Sequence, residues 1–218
     1  MKKQFLVIGA GRFGSSVAKT LYNMGHDVMV VDDDEALVQE ISTEVTDAVI
    51  ANVTSEAALK ALDVKEFDAV ILAIGVETQA SIMAALLLVE MGARYIVAKA
   101  HTELHGKVLS KIGVNRVVFP ERDMGQKLAH SLVSPTIIDM IELSDEYSVV
   151  EVTAPEEMVG KTLKELDLRS RYGISVIALR RDNGGKTNLS PVAEDMIEKD
   201  DIIVAVGDNR ALQKLEWI

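Results

Sequence analysis

Gly9, Gly11 and Gly14 stand at the spacing G-x-G-x-x-G, directly after the apolar run Phe5-Leu-Val-Ile8. Placed where a strand turns into a helix, each glycine has its own task. Gly9 permits the tight turn, Gly11 lets backbone approach a phosphate, and Gly14 lets helix pack closely on strand. The N–H groups and the positive end of the following helix then face an anion. A second apolar run, Val28-Met-Val-Val, ends in Asp32, with Asp33 beside it. This is about 20 residues on, where such a fingerprint expects an acid that accepts the ribose hydroxyls. A carboxylate there repels a 2′-phosphate, which argues against NADP. Arg12 sits inside the glycine turn, where a guanidinium can clamp a terminal phosphate through paired hydrogen bonds. Phe13 reads as a packing residue.

Further candidates lie after later apolar runs. Asn52 and Val53 follow the third, and Asn52 is either a partner for an adenine edge or a polar turn residue. Ala73, Ile74 and Gly75 end the fourth, with Gln79 in the next turn. Lys99 follows the fifth and is either a point charge for a phosphate or a solvated cation. Glu121 follows Pro120 in the first turn of a helix, where a carboxylate suits the dipole. It could also meet a neighbouring subunit's phosphates through Mg²⁺ or Ca²⁺, which take oxygen ligands.

Other chemistry finds little support. Gly160-Lys-Thr162 and Gly185-Lys-Thr187 resemble the end of a P-loop, but Pro155 and Arg180 stand where its first glycine belongs. His101-Thr-Glu-Leu-His105 is not H-E-x-x-H, and its histidines read as ordinary polar residues rather than metal ligands. The absence of cysteine excludes disulfides, thiol nucleophiles and thiolate metal sites, and suits a reducing cytosol.

The elements that must position these residues alternate. Strands are expected at 5–8, 27–31, 47–50, 68–74, 95–98 and 116–119, and helices at 12–24, 35–42, 56–62, 78–91 and 105–112. This pattern predicts an α/β, Rossmann-like doubly wound parallel sheet over 1–119. A helix is expected at 120–133 and a shorter one at 136–142, a crossover pair within 120–144. Over 145–218 the pattern becomes that of a small α+β domain. Its strands are expected at 148–153, 175–180 and 201–206, its helices at 162–166 and 209–215, and a hairpin turn at 182–185. The 218 residues, 48% of them hydrophobic, are enough for two such cores. A net charge of −11 disfavours nonspecific nucleic-acid binding. The first apolar stretch is too short, and too soon broken by glycines, to read as a signal peptide. No run approaches the ~20 apolar residues of a membrane span.

The ordered set of motifs resembles one family. It comprises Phe5-Leu-Val-Ile-Gly-Ala-Gly-Arg-Phe-Gly14, Met24-Gly-His-Asp-Val28, Asp47-Ala-Val-Ile-Ala-Asn52 and Lys111-Ile-Gly-Val-Asn-Arg116. It continues with Pro120-Glu-Arg-Asp-Met-Gly125, Leu143-Ser-Asp-Glu-Tyr-Ser148, Gly160-Lys-Thr-Leu-Lys-Glu-Leu-Asp-Leu-Arg169, Tyr172-Gly173 and Ser190-Pro191. Over its whole length the chain resembles the cytosolic RCK (KTN) regulatory subunits of bacterial Ktr/Trk-type potassium transporters. The resemblance implies an RCK_N nucleotide domain, a dimerising crossover and an RCK_C domain. It implies homodimers assembled into an octameric ring beneath a membrane-embedded potassium-translocating subunit, at the inner face of the cell membrane. ATP and ADP would be opposing ligands on Gly9, Gly11, Arg12, Gly14, Asp32, Asn52 and Lys99, with a cation carboxylate at Glu121. Some members bind cyclic di-AMP in RCK_C, and Arg169, Ile174 and Pro191 match that pocket. The rival reading is an NAD-dependent dehydrogenase, which needs an acid/base residue facing NAD or NADH in a catalytic domain. The second domain has no histidine to offer. An NADH-sensing DNA-binding repressor is disfavoured by the acidic charge and the lack of a basic recognition segment.

Overall fold

In the computed structural model, which describes residues 1–74, 77–133, 137–181 and 187–215, the chain forms two compact units, 1–122 and 123–218. In the first, strands β1 (Gln4–Ile8), β2 (Asp27–Asp32), β3 (Asp47–Ile50), β4 (Ala69–Leu72), β5 (Ile96–Lys99) and β6 (Arg116–Val118) make one sheet. Every pairing in it is parallel, in the order β3-β2-β1-β4-β5-β6. Alternate side chains leave opposite faces of a strand. Accordingly Leu6, Ile8, Val70 and Leu72 enter one apolar core, and Val7 and Ile71 another. A strand buried on both faces must be apolar throughout, which is how β1 and β4 read.

The two cores follow from the handedness of the crossovers. From β1 the chain steps one way to β2 and β3, then returns across β1 to β4 and steps the other way. Right-handed connections therefore put α1 (Arg12–Asn23) and α2 (Glu35–Ile41) on one face. They put α3 (Glu56–Ala61), α4 (Thr78–Glu90) and α5 (Glu103–Ile112) on the other. Ala18, Leu37 and Ile41 pack with the first core, and Leu59, Ala84, Leu88 and Leu109 with the second. The reversal of direction lies between β1 and β4. In doubly wound sheets ligands bind at such a switch point, beyond the carboxyl ends of the strands.

Helix α6 (Pro120–Val133) begins as expected, with proline at its first position. The segment expected as a second helix, 136–142, is instead a strand from its second residue on, β7 (Ile137–Glu142), paired antiparallel with β8 (Tyr147–Thr153). The crossover is thus a helix followed by a strand. The isoleucines at 138 and 141 suit a pleated surface, and the neighbouring strand, far outside any helical window, supplies the partner. Asp139 of β7 also pairs with Lys127 of α6 at 2.7 Å.

The second unit is a four-stranded antiparallel sheet in the order β7-β8-β10-β9, with β9 at Ser175–Arg180 and β10 at Ile202–Asp208. Burial alternates along β8 and β10, so one face is a core with Val150, Val152, Ile203 and Ala205. Short helices α7 (Leu163–Leu166), α8 (Leu168–Tyr172) and α9 (Asn209–Lys214) complete the unit. Thr162 starts α7 through a capping box with Glu165, so Gly160-Lys-Thr162 is a helix start, as read. The expected hairpin turn at 182–185 lies outside the described residues.

Candidate nucleotide site

The loop after β1 is held by contacts that only glycine permits at two positions. Gly9 has φ +102°, and a Cβ there would meet the Ala73 carbonyl carbon at 2.9 Å, so the turns after β1 and β4 touch. A Cβ on Gly14 would lie 1.8 Å from the Gly9 carbonyl oxygen, which is the close packing of helix on strand. Gly11 is different. It caps α1 with no side-chain hydrogen bond to the first turn, and nothing lies within 4 Å of where its Cβ would point. No side chain caps the first N–H groups of α1, which suits an anion cradle.

Asp32, the last residue of β2, is half-buried and holds this cradle to its neighbour. Its Oδ2 accepts the Ala10 N–H at 2.6 Å and its Oδ1 the Asp34 N–H at 2.9 Å. A carboxylate has about four acceptor positions, so capacity for a diol remains. Asp33 is exposed, and Asp34 caps α2 by accepting from Ala36 and Leu37. The Ser15 hydroxyl donates to the Ala10 carbonyl at 2.5 Å, a brace on the turn with no sequence signal of its own. Arg12, the first residue of α1, is exposed.

Lys99, at the end of β5, is 7% exposed, so it is not a solvated cation. Its Nζ lies 5.8 Å from the centroid of the Phe13 ring, within the range of a cation–π contact. Phe13 thus packs against the core of the α1 face and also carries Lys99 beside the glycine turn. The Lys99 Nζ donates to Oε1 of Glu121 at 2.5 Å, from a side chain 9% exposed to one 65% exposed. That hydrogen bond, more than any other influence, holds the Glu121 carboxyl below the usual carboxylate range, and His101 adds in the same direction. The pair joins two residues that the sequence suggests only separately.

Of the remaining candidates, Ala73 is buried and Ile74 half-buried after β4, and Gly75 lies outside the described residues. Gln79 is exposed in the first turn of α4. Asn52 is exposed and its side-chain oxygen accepts from the Thr54 N–H and hydroxyl, a polar turn; Val53 packs on the core. Among the described residues no group of three or more His, Cys, Asp or Glu could hold a metal ion.

In the second unit, Arg169 is exposed on α8, and Gly173 closes that helix by donating to the Arg169 carbonyl at 3.0 Å. Ile174 follows directly, with its side chain in the core at 0% exposure. Pro191 is half-buried in a loop tied to the start of α7, where Lys164 N–H donates to the Ala193 carbonyl. The helix carrying Arg169 had no signal in the sequence beyond its arginines.

A parallel, doubly wound sheet followed by a small antiparallel domain places the chain in the class of two-domain proteins with a Rossmann-like first domain. The TrkA-N domain family matches residues 5–120 and the TrkA-C domain family residues 148–216. Ktr system potassium uptake protein C of Bacillus subtilis (strain 168) is 44% identical over 216 residues, 99% of this chain and 97% of that one. Ktr system potassium uptake protein A of the same organism is 42% identical over 214 residues, covering 98% and 96%. The crystal structure of the GsuK RCK domain superposes with a TM-score of 0.71 at 20% identity, over all of this chain and 47% of that one, and shares the fold. The chain belongs to the TrkA/Ktr family of potassium uptake proteins. No described helix is long and apolar enough to cross a membrane.

Proposed function

We propose that this chain is a nucleotide-controlled regulatory subunit, not an enzyme, acting on a membrane-embedded potassium-translocating partner from the inner face of the membrane. The observation that carries the reading is the uncapped first turn of α1, open at Gly11 and flanked by Asp32, in a chain of the Ktr family. ATP and ADP are the ligands. The α1 N–H groups hold the phosphates, Asp32 takes the ribose hydroxyls, and Arg12 and Lys99 supply positive charge. Glu121 reaches a divalent cation, Mg²⁺ or Ca²⁺, that the phosphates also bind, because hard cations take oxygen ligands. Homodimers joined in an octameric ring carry the signal. The ligand shifts the ring between shapes only as far as its affinities for those shapes differ. Exposed Arg169 and the Pro191 loop favour cyclic di-AMP as a second ligand of the C-terminal domain. With Ile174 in the core, its contribution there is backbone.

The test is a ligand panel. Thermal stability and calorimetry are followed with ATP, ADP, NAD, NADH and cyclic di-AMP, with a turnover assay on each dinucleotide. ATP and ADP stabilise the protein, Asp32→Ala abolishes that effect, and Arg169→Ala abolishes only the cyclic di-AMP response. Because Asp32 also anchors Ala10, the variant's ligand-free melting temperature is the control. Tight NADH binding with turnover would replace this reading by the dehydrogenase one.

A further inference from the structure

A buried ammonium needs a counter-charge, because its water has been removed. Lys99 has one, and it is an unusual choice. Glu121 is largely exposed, reaches in from the first turn of α6, and holds Lys99 at 2.5 Å while the same ammonium stands against Phe13 in the glycine turn. The two partners come from positions 22 residues apart and from different elements. The ammonium that stands against Phe13 of the glycine turn is therefore already paired with a carboxylate.

We propose that the Lys99–Glu121 pair is a latch on the nucleotide site: phosphates and Glu121 compete for the same ammonium, and binding of one releases the other. The proposal rests on the reading of the cradle as a nucleotide site. Phosphate oxygens entering above α1 bring charge that can replace the carboxylate at Lys99. Glu121, once released, is an exposed carboxylate free to take a hard cation. Cation binding and nucleotide binding are then linked through one broken ion pair, and each strengthens the other.

The test is a double-mutant cycle of Lys99→Gln and Glu121→Gln on the full chain, titrated by calorimetry with ADP and with adenosine in EDTA. Glu121→Gln removes the competitor and tightens ADP by about two- to fivefold, the range for a partly exposed pair. Adenosine, which has no phosphate, is unaffected. In the Lys99→Gln background the second substitution changes nothing. When Mg²⁺ replaces EDTA, wild-type protein gains ATP affinity and Glu121→Gln does not. Glu103→Gln, a neighbouring charge paired with Arg122, leaves ADP affinity unchanged. The latch is overturned if Glu121→Gln leaves ADP affinity unchanged or lower. It is equally overturned if the gain persists without Lys99, or extends to adenosine. Wild-type protein that binds no nucleotide overturns the reading of the site, and the latch with it. Nucleotide binding that is blind to Glu121→Gln overturns the latch alone.

Discussion

Two glycines in one turn make opposite demands. Gly14 has no room, since a Cβ would lie 1.8 Å from the Gly9 oxygen, so Gly14→Ala forces helix and strand apart. Overpacking of this kind costs about 1–3 kcal/mol, and the variant melts at lower temperature. Gly11 has room and an ordinary φ of −63°, so Gly11→Ala leaves the melting temperature near wild type. Its methyl group points into the phosphate space, and nucleotide-induced stabilisation is lost. A Gly11→Ala protein that binds ADP normally would move the phosphates elsewhere. Arg12, within this turn as the first residue of α1, is exposed. Hydrogen bonds to a charged group contribute about 1.5–3 kcal/mol. Arg12→Ala therefore weakens ATP roughly tenfold or more while changing ADP less. Equal weakening of the two, measured by calorimetry, removes the arginine from the third phosphate.

At the scale of elements, α5 carries a group that makes its packing sensitive to acid. His105 is 3% exposed on the buried face, and neither ring nitrogen has a hydrogen-bond partner. The His101 ring stacks on it at 6.5 Å between centroids. Burial, and then the charge of His101, hold the His105 imidazole below its ordinary value of 6.5. The sign follows from proton counting. The unfolded chain binds a proton near pH 6.5 and the folded chain resists it. Stability from this residue is therefore complete above pH 6.5 and is lost as pH falls through the lower folded value. Urea midpoints between pH 7.5 and 5 should fall less steeply for His105→Phe than for wild type. Parallel profiles would mean the imidazole is already solvated. β7 shows a different dependence on neighbours. Its apolar spacing is compatible with a short helix, and pairing with β8 decides for a strand.

For the molecule as a whole, α6 presents an apolar stripe. Met124, Leu128 and Leu132 recur every four residues, and all are exposed, at 65%, 58% and 73%. A stripe at that spacing lies along one helix face, and a two-fold partner offering the same stripe would cover it. Met124→Glu with Leu132→Glu places charges along the seam. Sedimentation equilibrium should then report monomers where wild type gives dimers or larger assemblies. Unchanged mass for this variant would assign dimerisation to another surface. A net charge of −11 disfavours nonspecific association with nucleic acid.

What the sequence by itself determined is what short-range physics controls. Strand and helix periods over 1–133, the glycine spacing at 9–14, the acid at the end of β2 and the capping box at Thr162 all depend on residues within a few positions of one another. The doubly wound, parallel class of the first sheet followed as well, because alternating strands and helices with handed crossovers leave few alternatives. The tertiary structure alone decided the rest. Lys99 reads as either a phosphate partner or a solvated charge, and only the approach of β5 and α6 brings it to Glu121 across 22 positions. Asp32 reads as a ribose ligand, and its second task, holding Ala10, needs β2 to lie beside the turn after β1. The segment 137–142 became a strand because β8 offered its edge, and Ile174 turned inward because β10 packs on it where Gly207 leaves space, with the Ile174 Cγ1 at 2.8 Å from where a Cβ would stand. Each of these depends on which distant residue arrives as a neighbour, and local pattern holds no record of that.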